Sequence, residues 1–380
     1  MRKSALSILP VLVFNFLTGC NEPAENIETS IITTIPFAEA KEFKLSDFVE
    51  EQKYILLSTD EDALFKRVDK LIAKNEHFYL FDHLANSGVL VFDKDGNFVQ
   101  KIGDFGDGPK QLKGITDFQV GDNGEIQLLD KRNKSITIYS PEGILREQIA
   151  IQVNSGGFAQ LGDKWFLAIN FDHQNENLVS NQILGVFDAT MELDSLYFHY
   201  AEEAFNVNLY YHAGLLSTAE NKLIYHRPPN DTISIFSKDG QLANRLIIDF
   251  AENRLPEEAV NDFNIVDSYR AQDASFRYLQ TPALLAGDYI VGIILSTKQE
   301  FWTYAYKISS NELYSSKVDL SQLHLKDMML AGAYRDDKVV VSMIDPVTFS
   351  QDSKPDAYPE HVRTHLENEG SVLLLHYLKP

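Results

Sequence analysis

The sequence predicts an all-β fold: a six-bladed β-propeller of four-stranded antiparallel blades, closed by an N-terminal strand that joins the C-terminal blade. Three observations predict it. A unit of strand, loop, strand and tight turn recurs along the chain. Its turns fall at roughly the ~40 to 50 residue period of a propeller blade. Helical patterns are nearly absent between strands, which argues against a Rossmann sheet or a TIM barrel.

The clearest copy is Phe78-Tyr79-Leu80-Phe81-Asp82, a polar loop, then Val89-Leu90-Val91-Phe92-Asp93-Lys94-Asp95-Gly96. A second runs from Ile126-Gln127-Leu128-Leu129-Asp130 to Ile136-Thr137-Ile138-Tyr139 and ends in Pro141-Glu142-Gly143. A third runs from Leu223-Ile224-Tyr225-His226 to Ile233-Ser234-Ile235-Phe236 and ends in Lys238-Asp239-Gly240. Short β-branched and aromatic runs make strands, and Asp-Gly or Glu-Gly supplies the positive φ of a hairpin turn. Ile-Thr-Ile-Tyr and Ile-Ser-Ile-Phe alternate with period two, whereas Val89 to Phe92 is apolar throughout; both suit sheets stacked face to face.

Extending these copies gives blades at about Phe65–Gly103, Ile115–Ile151, from near Gly157 through Asp188, Ala213–Phe250, Tyr278–Asp319, and from near Met328 to Leu378. The last blade lacks a fourth strand at the C-terminus. Tyr54 to Ser58 is its expected donor, and closing the ring this way removes exposed sheet edges. Two helical insertions are expected, at Pro256 to about Phe276 and at roughly Pro355 to Glu367.

Before the propeller lies an export signal. Arg2 and Lys3 form a basic n-region, and Ala5 to Leu17 is an apolar stretch too short to cross a ~30 Å hydrocarbon core comfortably. The run Leu17-Thr18-Gly19-Cys20 resembles the bacterial lipobox, which implies cleavage before Cys20, diacylation of its thiol and a membrane as a partner. The alternatives are a simple secretory signal with a fortuitous cysteine, or an uncleaved N-terminal anchor. Cys20 is the only cysteine, so no intramolecular disulfide and no cysteine metal site can form. Two or more acyl chains anchor stably where one is marginal. The expected organisation is a signal peptide at 1–19, a lipidated tether at 20–44 and the propeller at 45–380. The expected address is the cell envelope, on the periplasmic side or the outer surface of a Gram-negative-type outer membrane.

Composition narrows the partners. Hydrophobic residues at 44% and charged residues at 23% describe a chain that folds around a core rather than a disordered one. The net charge is -21, and removing residues 1–19 leaves 32 basic against 55 acidic residues. A nucleic acid is excluded, because phosphate binding needs clustered Lys and Arg that this sequence lacks.

Further residues carry a family resemblance. Lys44-Leu45-Ser46-Asp47 followed by Tyr54-Ile55-Leu56-Leu57 resembles the opening of a family of bacterial six-bladed propeller lipoproteins related to NHL-repeat proteins. So do Lys101-Ile102-Gly103 leading into Gly106-Asp107-Gly108-Pro109, Ile115-Thr116-Asp117-Phe118, and the closing Val372 to Lys379. The resemblance spans nearly all of the mature chain and is weakest in blades three and five. It implies a fold and a location; with no settled activity in the family, it transfers no catalytic residues.

A four-stranded meander puts the loop between its second and third strands on the same face as the connection to the next blade. That face collects His83, Lys131, Arg132 and Arg227, which could hold an anionic or polyhydroxyl ligand near the channel. The competing reading is that they are solvated loop residues paired with the surplus acids. The glycine-rich stretch 103–110 lacks the Gly-Lys-Ser/Thr of a phosphate loop and reads as a blade connector. His361 and His365 share one helical face but lack the glutamate and third ligand of a metalloprotease. Asp82 and Asp130 occupy equivalent strand ends and read as caps for loop amides. Trp165 and Trp302 read as core aromatics. No Gly-x-Ser-x-Gly motif appears.

The expected function is therefore a membrane-anchored propeller that binds or scaffolds a small molecule, glycan or protein, without evident catalysis or cofactor. The alternative is a metal-dependent, lactonase-like hydrolase or lyase holding a divalent cation in the central channel, its ligands coming singly from several blades.

Overall fold

The computed structural model describes residues 30–83, 88–103, 105–108, 111–170, 175, 182–200, 214–219, 221–260, 262–322, 324–336 and 338–379. Six antiparallel sheets follow one another along the chain, and each is a meander from an innermost to an outermost strand. Blade one is Lys70–Lys74, His77–Phe81, Val89–Asp93 and Phe98–Ile102. The innermost strands of blades two, three and four are Ile115–Val120, Ser155–Leu161 and Leu216–Ala219. In blade five two short strands, Arg277–Leu279 and Leu284–Ala286, share the inner position along Tyr289–Ser296. Ala331–Arg335 leads blade six. Neighbouring inner strands touch in sequence, and that of blade six touches that of blade one, so the sheets form a closed ring.

The ring closes as expected, although the donated strand is longer. Val49–Leu56 pairs antiparallel with Val372–Leu378, with Ile55 opposite Leu373 and Tyr54 opposite Leu374. A buried polar chain crosses this seam. The Gln52 amide donates to the Lys326 carbonyl at 2.8 Å and lies 3.1 Å from His376 Nδ1, while His376 Nε2 lies 2.9 Å from Ser342 Oγ.

Stacking explains why some strands are apolar on both sides. Phe78, Leu80, Leu90 and Phe92 pack toward blade six with Val339, Val341 and Leu373. Their neighbours Tyr79, Phe81, Val89 and Val91 pack toward blade two with Phe118, Ile126 and Leu128. Successive strand residues point to opposite faces, so one continuous apolar run serves two inter-blade cores. The turn glycines Gly96, Gly143 and Gly240 have φ of 89°, 79° and 84°. Blade three builds the same turn without glycine: Met191 takes φ 63°, its amide donating to the Asp188 carbonyl.

One expectation is corrected. The tether does not extend to residue 44, because Ile31–Pro36 pairs parallel with Leu242–Asp249 on the rim of blade four. Lys41–Glu42 then pairs parallel with Glu312–Val318 on the rim of blade five. Phe43 and Phe48 stack at 4.7 Å just before the closing strand. An outermost strand offers an unpaired row of amides and carbonyls, so a passing segment can add to it without a hairpin signal. Residues 1–29, including the expected signal and Cys20, lie outside the described residues.

The loops between second and third strands, together with the blade-to-blade connections, define what we term the upper face. Both helical insertions stand there. One contains the helices Glu257–Val260 and Phe263–Ala271, the other the helix Glu360–Glu367.

Two predictions concern this architecture. A Cβ at Gly96 would sit 2.1 Å from the Leu56 carbonyl oxygen on the closing strand, whereas one at Gly143 would meet only side-chain tips, at 3.0 Å. Both sites carry the ~1 kcal/mol cost of a positive φ, so Gly96→Ala will destabilise by at least ~2 kcal/mol more than Gly143→Ala in urea unfolding. Equal losses would mean that the closing strand yields freely. The second concerns pH. Burial lowers both His226 and His376 to about 4, while the unfolded imidazole titrates near about 6.5. The unfolded chain thus binds protons that the folded one refuses, and stability falls as pH drops from about 6.5 toward 4, by roughly 2 kcal/mol per histidine at pH ~5. His376→Gln will shrink the pH ~7 to pH ~5 loss by about that amount; an undiminished loss would refute the assignment.

Candidate functional site

The inner strands enclose a central channel, a cavity of about 390 Å³. It runs from Asp69, Thr281 and Asp345 at the upper end to Lys74 and Asp336 at the lower end. Lys74, Gln119, Thr218 and Asp336 also line a second cavity of about 590 Å³ at the lower mouth, with Asn221 and Lys238. Its volume suits a small ligand.

Each of the two lysines in the channel is paired with a carboxylate. Lys70 Nζ lies 2.7 Å from Asp117 Oδ1, and both side chains are nearly or wholly buried. Burial pushes the Asp117 carboxyl up, and this is opposed by Lys70 and by the Phe158 and Phe118 amides, which donate to it at 3.0 and 2.9 Å. Asp117 therefore ties the inner strand of blade two to that of blade three, while Lys70 ties it to blade one. Lys74 pairs with Asp122 at 2.7 Å. What remains toward the lumen is hydroxyl, amide and carboxylate: Ser217, Thr218, Thr281 and Gln119 along its length, with Asp69, Asp345 and Asp336 at its ends.

The residues singled out from sequence divide. His83 is half-buried; its backbone amide donates to Asp69 Oδ2 at 2.7 Å, and its Nδ1 lies 3.2 Å from the Ile115 carbonyl, a bridge from blade one to blade two. Lys131 and Arg132 are exposed, and Arg132 lies across Gly114. Arg227 is buried, its guanidinium 5.0 Å from the Tyr200 ring centre, and it lines a separate cleft between blades three and four. None of the four lines the channel cavity. The sequence singled out neither Lys70 nor Asp117; the one available signal was a charged residue within each otherwise half-apolar inner strand.

The remaining candidates prove structural. Asp82 accepts the Lys66 and Arg67 amides, and Asp130 those of Lys113, Arg132 and Asn133. Gly103, Gly106 and Gly108 belong to the connector, where the Gly108 amide donates to Gln111; Asp104, Pro109 and Lys110 lie outside the described residues. Trp165 and Trp302 are buried in inter-blade cores. His365 Nε2 lies 3.2 Å from the Ser371 carbonyl, and His361 is exposed beside it on the helix Glu360–Glu367.

Two histidine pairings resemble catalytic geometry without matching it. In Ser342–His376, the Gln52 Nε2 donor fixes Nδ1 as an acceptor, so Nε2 carries the proton and donates to Ser342. A general base needs the reverse. His324 Nδ1 lies 3.0 Å from Asp352, a carboxylate that also accepts from Tyr358, Leu325 and Lys354. Burial would raise Asp352, but these four partners outweigh it and hold the carboxyl below its usual range. The cluster pins the blade-six insertion to the connection from blade five. Among the described residues, no three His, Cys, Asp or Glu side chains gather as a metal ion would need.

Solved structures share this architecture at low identity. The inferred exported protein BF0058 of Bacteroides fragilis superposes with a TM-score of 0.70 at 16% identity, covering 92% of this chain and 100% of that one. A member of the DUF4221 family from Bacteroides vulgatus superposes with a TM-score of 0.51 at 12% identity, covering 87% of this chain and 97% of that one. No curated protein matches the sequence. The model of a domain of unknown function, DUF4934, matches residues 32–369, and the chain, a six-bladed propeller, belongs to that family.

Proposed function

We propose that the mature protein is an envelope lipoprotein, held to a membrane through lipid on Cys20, and that its propeller is a non-catalytic binding module. Its ligand is a neutral, polyhydroxyl small molecule or glycan fragment taken into the central channel. The observation that carries this reading is the channel lining. Its lysines are already neutralised by Asp117 and Asp122, which leaves hydroxyls, amides and the carboxylates of Asp69, Asp336 and Asp345 as the groups facing a ligand. Such groups recognise hydroxyl-bearing ligands through directional hydrogen bonds. Export is supported by the lipobox-like run before Cys20 and by the description of BF0058 as an exported protein.

Three outcomes are expected. Titration calorimetry of the mature chain against neutral oligosaccharides will show binding. Thr218→Trp, at a position exposed to the lumen, will weaken it at least about tenfold with an unchanged melting midpoint; full binding by that variant would remove the channel from consideration. Metabolic labelling with a radioactive fatty acid will mark the full-length chain and not Cys20→Ser, whereas label on both, or on neither, would defeat the anchoring. Chelator will leave the melting midpoint where it is, because a resident structural metal would be linked to stability; a fall would return the metal-dependent reading.

A further inference from the structure

On the upper side, between blades three and four and apart from the channel, lies a cleft of about 610 Å³. Three of the chain's eleven arginines line it: Arg227, Arg245 and Arg254. They come from three separate segments, the second-to-third strand loop of blade four, its outermost strand and the connection to blade five. In a chain of net charge -21 this is, among the described residues, a local reversal of sign. Concentrating like charges is unfavourable unless something opposite offsets it. Glu257 is the one acid among the described lining residues, and Asp231 holds Arg254, at 2.5 Å to its Nε and 3.3 Å to its second nitrogen.

The guanidinium groups are held rather than waving in solvent. Arg227 packs on the Tyr200 ring, and Arg254 is clamped by Asp231. Arg245 stands opposite Ser234 in the sheet, and its Nε is shut off from water with no acceptor among the described residues. A buried charged donor without an acceptor is costly, and an oxyanion in the cleft would supply one. Phe198 and Tyr225, stacked at 6.2 Å, form an apolar wall beside these groups.

We infer that this cleft is a binding site for a small anionic ligand, held through carboxylate, sulfate or phosphate oxygens by Arg245 with Arg227 and Arg254. Arginine's planar fork matches such oxyanions in two-point contact. The site is distinct from the channel and stands whether or not the channel holds a ligand.

The test is calorimetric titration of the mature chain with glucuronate, inorganic sulfate and inorganic phosphate, with glucose as the uncharged control. At least one anion will bind where glucose does not bind in this cleft, and added salt will weaken it. The three anions separate the carboxylate, sulfate and phosphate sources. Arg245→Gln will weaken binding at least about tenfold, the loss expected for a charged hydrogen bond. Because it removes an unsatisfied donor, it will leave the unliganded melting midpoint level or higher, which a purely structural arginine would not. Arg245→Lys will recover part of the affinity, and Thr218→Trp will leave anion binding intact while blocking the channel. No binding of any anion at millimolar concentration, or equal binding by Arg245→Gln, would overturn the proposal.

Discussion

The structure depends on one pairing: the strand Val49–Leu56 hydrogen-bonded along Val372–Leu378. Each blade buries its two faces against its neighbours, so no blade has a complete core by itself. Blade six is completed only when a strand from near the start of the chain reaches one from its end. The contact joins residues more than 300 positions apart, and its loop entropy must be overcome before the last interfaces form. The buried Gln52–His376–Ser342 chain makes that pairing specific in register. A one-residue slip would reverse the faces of the closing strand, moving Ile55 out of the core it shares with Leu71 and Leu373 and stranding His376 without its amide partner.

The same closure fixes the functional geometry. Once the ring is shut, the inner strands must converge on an axis, and side chains there have nowhere to go but one another or the lumen. Lys70 and Asp117 take the first course. Their pair connects three blades, one by carrying Lys70, one by carrying Asp117 and one through the Phe158 amide. Replacing a buried charge pair by apolar residues is often harmless, whereas breaking it is not, so the pair serves more to set the spacing of blades one to three than to add stability. The lysines of the lumen stay neutralised as a result, and its open groups are hydroxyls, amides and carboxylates.

Much of this fold was legible because each blade carries its own punctuation. Gly96, Gly143 and Gly240 mark the same turn in three blades, and the distances between them give the period. Blade three was the faintest because Met191 occupies the glycine position: its side chain packs in the core between blades two and three, and that burial outweighs the cost of φ 63°. The rim strands Ile31–Pro36 and Lys41–Glu42 were illegible for another reason. They join existing edges in parallel, which needs neither a hairpin turn nor strong alternation, and their own burial is slight. At the candidate sites the sequence pointed to Arg227 but not to Arg245 or Arg254. Three residues from separate segments leave no spacing to read; only the pairing of Ser234 with Arg245 and the return of the chain after blade four bring them together.

The rim strands also bear on how a tethered propeller would stand. The outermost strand of blade four runs toward the upper face, and Ile31–Pro36 lies parallel to it, Ile31 opposite Asn244 and Pro36 opposite Asp249. The chain therefore joins the folded body at the lower side of the blade-four rim. On the proposed anchoring, the residues between Cys20 and Ile31 could extend no more than roughly 35 Å. Such a leash favours the lower mouth of the channel facing the membrane and the upper face, with its insertions and arginine cleft, facing away. The two proposed sites then meet different surroundings: the channel mouth samples what lies close to the bilayer, and the cleft samples solutes in the bulk. On that anchoring an acidic body near an anionic lipid surface would be repelled by it, which would hold the propeller off the bilayer and keep the lower mouth open.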